Sequence, residues 1–86
     1  MRFKLGHVVA TPGALGAVGH KGVYNLIRRY MAGDWGDLCA FDRRENERAL
    51  RDGTRLLSAY DTPRGSFYVI TEADRSSTCI LLKSEY

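Results

Sequence analysis

The sequence predicts an α+β fold, with two or three short helices packed on a three- to four-stranded antiparallel sheet. Three observations carry this expectation. Residues 21–32 repeat apolar side chains at helical spacing, and residues 43–52 surround a thin apolar stripe with charge. Residues 54–83 then break into three β-rich runs joined by short polar turns, which reads as a C-terminal meander. A sheet and helices with one apolar face each close into two layers around one core. The chain of 86 residues is expected to form one small α+β domain over 1–86.

In chain order, Leu5–Thr11 reads as a short strand centred on Val8 and Val9, able to join a sheet edge. Pro12 either stops it or opens a helical turn through Gly13–Val18. Four glycines between positions 13 and 22 leave that segment as a loop or a weakly held helix. Helix Lys21–Ala32 follows from Val23, Leu26, Ile27, Tyr30 and Met31, which fall at i, i+3, i+4, i+7 and i+8. Arg28 and Arg29 sit off that face, in the turns where cations complement the helix dipole, and Gly33 suits the stop.

AGDWGDLC, residues 32–39, holds the only tryptophan between two carboxylates. Asp34 and Asp37 lack the further acidic ligands or converging groups that a metal or acid–base site requires. Trp35 reads as a core plug between helices, and Asp37 as a restart. The second helix is expected over Arg43–Asp52, capped by Asp42 with Glu45 at capping-box spacing and ended by Gly53. Phe41, Ala49 and Leu50 form its apolar face. Asn46 shares that face and so needs hydrogen-bond partners. Glu47 and Arg51 stand at a favourable i,i+4 spacing. The strands TRLLSAY, SFYVIT and STCILLK are separated by DTPRG and EADRS, both of hairpin length.

Composition narrows the function. The net charge is +3, and ten of the thirteen basic residues are arginine. That field is weak for a dedicated nucleic-acid binder and of the wrong sign for a DNA mimic. Two cysteines, Cys39 and Cys79, make neither a disulfide framework nor a zinc site. Their apolar neighbours predict buried free thiols. No signal peptide and no membrane-length apolar run is evident, so a cytoplasmic protein is expected. His7 and His20 show no ligand or catalytic spacing, and the glycines of GALGAVGHKG do not match a nucleotide-binding fingerprint. The five tyrosines show no stacking platform in their spacing. No cofactor, no metal and no enzymatic activity is expected.

Two contact surfaces stand out. Arg28, Arg29, Arg43, Arg44, Arg48, Arg51 and Arg55 are the densest basic set, able to meet phosphates or an acidic protein surface if the helices lie side by side. The plain alternative is a solvated face interlaced with Glu45, Glu47 and Asp52. TEADRSST, residues 71–78, gathers Glu72, Asp74 and Arg75 at a turn, where Asp and Ser also serve turn geometry. A nuclease would draw on Glu72, Asp74, Arg75 or His7.

Several blocks together carry a family resemblance: LGHVVATPGAL, GDWGDL, LLSAY, VITEADRSST, ILL and the final EY. In order and spacing the chain resembles a family of short uncharacterised proteins borne by bacterial plasmids, integrative elements and phages, often described as plasmid-related proteins. It departs most between Gly16 and Tyr30, and Lys83 stands where the family usually has proline. The resemblance supplies no catalytic residues. It implies a setting in which small proteins antagonise host defence, including restriction and CRISPR systems. The expected function is a non-enzymatic protein that occupies a protein or ribonucleoprotein complex of the bacterial host. The alternatives are a nucleic-acid-binding accessory protein and a toxin-like ribonuclease.

Overall fold

A computed structural model describes residues 3–86. The described elements run β1 (His7–Ala10), α1 (Pro12–Met31), α2 (Ala40–Asp52), β2 (Leu56–Thr62), β3 (Gly65–Thr71) and β4 (Ser77–Leu82), with a 3-10 turn at Lys83–Glu85. The fold is α+β, two helices on a four-stranded sheet of order β1-β4-β3-β2.

The C-terminal strands form the expected meander, each pair antiparallel. The sheet as a whole is mixed rather than antiparallel, because β1 pairs parallel to β4, with Val8 opposite Thr78 and Ala10 opposite Ile80. A parallel pair needs a long crossover, and the 66 residues between β1 and β4 provide it. β1 is also shorter than Leu5–Thr11, since Gly6 turns the backbone to positive φ just before it.

The segment Gly13–Val18 resolves as helix. Thr11 caps it by accepting the Ala14 amide at 3.1 Å, and Pro12 fills the first turn, where its missing N–H costs nothing. α1 therefore starts nine residues before Lys21 (21 − 12), and a break at Gly19 (φ 71, ψ 176) divides it. The expected apolar face is the one used: Leu26, Ile27 and Tyr30 are buried, and Val23 and Met31 pack beside them. α2 begins at Ala40 with Cys39 in the N-cap position, earlier than the Asp42 cap expected. Asp42 lies in the first turn, where its charge still complements the dipole. Glu45 instead sits 3.5 Å from Arg48. Gly53 ends the helix in a left-handed conformation, as expected.

Both helices lie on one face of the sheet, over Leu56, Tyr60, Phe67, Val69 and Ile80. Trp35 plugs the gap between them, edge-on to Tyr30 with centroids 5.6 Å apart, while its indole N–H donates to Glu47 at 2.8 Å. Phe41 is exposed rather than part of the α2 core face: the earlier start brings it into the helix, where its spacing puts it on the side of Arg44 and Arg48, away from buried Asn46 and Ala49. The thiols are not buried: Cys39 is exposed and Cys79 half-buried on the opposite face of the sheet.

Two polar devices hold this core. Thr78 donates to the Leu5 carbonyl at 2.8 Å, so the neighbouring Thr71 hydroxyl at 2.8 Å must donate to Thr78, and Tyr30 at 2.7 Å must donate to Thr71. The chain of hydroxyls thus runs one way through the core. The second device closes the β2 edge. Buried Asn46 accepts the Leu57 amide at 3.1 Å and donates to its carbonyl at 2.8 Å. The Asp37 amide donates to the Ala59 carbonyl (2.7 Å), and the Asp37 carboxylate accepts the Asp61 amide (2.8 Å). An open strand edge is a template for pairing, and these side chains occupy it.

Candidate interaction surfaces

The expected arginine set divides into three groups. On α2, Arg44, Arg48 and Arg51 fall at i, i+4 and i+7, so they share the outward face, and exposed Phe41 extends the row by one turn. Arg44 and Arg51 have no hydrogen-bond or ion-pair partner among the described residues. Arg48 has only the loose Glu45 pair.

Arg28, Arg29 and Arg43 cluster where α1 ends. Arg28 lies over the exposed Tyr24 ring, 5.9 Å from its centroid. Arg29 is committed: it pairs with Asp34 at 2.7 Å and stacks over Tyr60 at 4.7 Å. That hydrogen bond raises the Arg29 pKa and lowers that of Asp34. Arg43 reaches back to the Leu38 and Gly36 carbonyls. Asp34, which also accepts the Gly36 amide, is therefore occupied within the helix junction, and Asp37 holds that junction to β2. Beside this cluster, an open cleft of about 410 Å³ between α1 and the β2–β3 turn brings Lys21, Arg29 and Arg64 against Val18 and Leu26. Lys21 and Arg64 were not singled out from sequence, since 43 residues (64 − 21) separate them.

Arg55 leaves the α2 set altogether. It donates to the Tyr86 hydroxyl at 2.7 Å and lies over that ring at 5.9 Å. Tyr86 meets Tyr68 edge-on, with centroids 5.3 Å apart, and Lys83 stands 5.5 Å over Tyr68. Tyr68 belongs to the sheet face that carries no helix, with Leu57, Ala59, Ile70, Cys79 and Leu81. The tyrosine spacing gave no sign of an aromatic pair, but folding the chain back after β4 creates one.

At the β3–β4 turn, Glu72 and Asp74 are exposed. Asp74 accepts the Ser76 amide at 3.0 Å, and its interaction with Ser76 lowers its pKa. Arg75 turns inward at φ 61 and donates to the carbonyls of Thr54 (2.7 Å), Ala49 (3.0 Å), Glu72 and Ala73 (both 3.2 Å). It ties the turn to the C-terminus of α2, adding a second donor to the Ala49 carbonyl, which also accepts the Gly53 amide. His7 lies one strand away, its amide bonded to the Ser76 carbonyl at 3.0 Å.

Among the described residues no group of three or more His, Cys, Asp or Glu side chains converges as metal ligands, and no helix is long and apolar enough to cross a membrane. Comparison of the chain with protein-family models, curated proteins and solved structures finds no match.

Proposed function

We propose that this protein acts without catalysis, by occupying a surface of a macromolecular complex of the bacterial host, and that the outward face of α2 makes the contact. The observation that supports this is the row Phe41, Arg44, Arg48 and Arg51, with one exposed aromatic anchor beside three guanidinium groups. Arginine and aromatic side chains carry most of the energy at protein interfaces, and arginine also binds phosphate through paired hydrogen bonds. A nucleoprotein offers both kinds of acceptor. The mobile-element setting implied by the family resemblance points to a complex of host defence, a CRISPR effector or a restriction enzyme.

The test is titration of the purified protein into reconstituted CRISPR effector and restriction complexes, with target cleavage as the readout. The expected result is stoichiometric inhibition that survives moderate salt and is lost in an Arg44→Glu/Arg48→Glu variant that still folds. Failure to inhibit any such complex, with capture of nucleic acid alone from a host lysate, would overturn the proposal. Association that falls steeply with salt would mark a nucleic-acid accessory protein instead.

A further inference from the structure

On the helix-free face of the sheet, four side chains form a continuous line of contacts: Arg55, Tyr86, Tyr68, Lys83. The order is cation, ring, ring, cation. Tyr86 remains 68% exposed. Around this line Leu57, Ile70 and Cys79 stand in register across three strands, Leu81 stands opposite Tyr68, and Val9 is 51% exposed at the edge. Of the acidic groups on this face, Asp61 is paired to Lys83 at 3.4 Å, and Glu72 lies at the far end of β3.

We propose that this face binds single-stranded nucleic acid, with Tyr68 and Tyr86 stacking two bases and Arg55 and Lys83 meeting the flanking phosphates. Aromatic rings on an open sheet provide π surface at little entropic cost, and unpaired bases provide the matching planar faces. A duplex buries its base faces in its own stack and leaves only phosphates for two cations to meet. An acidic protein surface would use the cations and leave the rings unmatched. The site lies on the face opposite the α2 row, so it is independent of the contact proposed above and would add a nucleic-acid hold to it.

The probe is an end-labelled oligothymidylate, followed by fluorescence anisotropy at low salt, with its oligoadenylate duplex as comparison. The single strand is expected to bind and the duplex to bind more weakly. Salt should weaken binding with a logarithmic slope near −1.4, the value for about two phosphates on a single strand. Tyr86→Ala and Tyr68→Ala should each lower affinity roughly 5- to 150-fold, the loss of one stacked base. Tyr86→Phe and Tyr68→Phe should retain it, because they keep the ring and discard only the hydroxyl. The phenylalanine variants also separate loss of stacking from loss of fold. The proposal is overturned by absence of binding, by duplex bound as tightly as single strand, or by phenylalanine variants as weak as the alanine ones. Unchanged affinity in Tyr86→Ala also overturns it. If Arg44→Glu/Arg48→Glu abolishes binding while the tyrosine variants keep it, the nucleic acid sits on α2 and this site is wrong. The α2 proposal is read by inhibition instead, so the two fail separately.

Discussion

Thr71→Val removes the middle hydroxyl of the Tyr30–Thr71–Thr78 chain while nearly preserving shape. Tyr30, Thr71 and Thr78 are all fully buried, so no water replaces a lost partner. The Tyr30 hydroxyl then loses its acceptor at 2.7 Å, and Thr78 loses its incoming donor at 2.8 Å. A buried donor left without a partner costs about 1–3 kcal/mol, so the variant is expected to lose about 2–3 kcal/mol. Tyr30→Phe should cost only about 1 kcal/mol, because it removes the end donor and Thr71 still donates onward. The sharper expectation concerns the pair. In the Thr71→Val background the tyrosine hydroxyl is already orphaned, so adding Tyr30→Phe should cost nothing or restore stability. Urea unfolding of the four proteins measures this, with unchanged m-values as the check on comparability. Equal costs of Tyr30→Phe in both backgrounds would refute the one-way chain, as would a neutral Thr71→Val.

Asn46→Ala should cost about 2–4 kcal/mol by orphaning both polar groups of Leu57, and hydrogen exchange at the Leu57 amide should quicken. Gly36→Ala should cost about 2–4 kcal/mol, since φ is +74 and the new Cβ would meet the Ala59 carbonyl and the Tyr60 ring; thermal unfolding reads it. Trp35→Ala should cost about 3–5 kcal/mol in the same assay through lost packing. Asp34→Ala should cost less than about 1 kcal/mol, because its pair with Arg29 is half exposed. Stability should also depend on pH at both extremes. Asp34 is held below its ordinary 3.8 mainly by Arg29, so its contribution is complete above that pH and fades as pH falls below it. Burial pushes Tyr30 from 10.0 to about 12, so its contribution is complete below pH 10.0 and fades as pH rises towards 12. Urea midpoints across pH test both limbs, and Tyr30→Phe should flatten the alkaline one.

The candidate surfaces were only partly legible. The α2 row follows from helical periodicity and was visible as Arg44, Arg48 and Arg51. Phe41 reads as a core residue when it lies outside a helix that starts at Arg43; with the start three residues earlier, at Ala40, helical spacing puts it on the side of Arg44 and Arg48. Arg75 looked like an exposed tip in sequence. Its role as a clamp depends on carbonyls 21 and 26 residues away. Glycine counting left Gly13–Val18 as a loop or a weakly held helix, and the Thr11 cap and packing of Ala14 against the core decide for helix.

The sequence by itself determined what neighbours in the chain decide. The apolar stripe of Leu26, Ile27 and Tyr30, the alternation of the last three strands, their turns, and Trp35 as a plug all follow from local spacing. Tertiary structure alone decided the parallel edge strand, the Asp37 carboxylate held on the Asp61 amide, and the edge-on pair of Tyr68 and Tyr86. Each of these brings together groups far apart in the chain, and local periodicity carries no information about which distant surfaces will meet. Burial selects those meetings, because a helix stripe or a strand edge is stable only once something covers it.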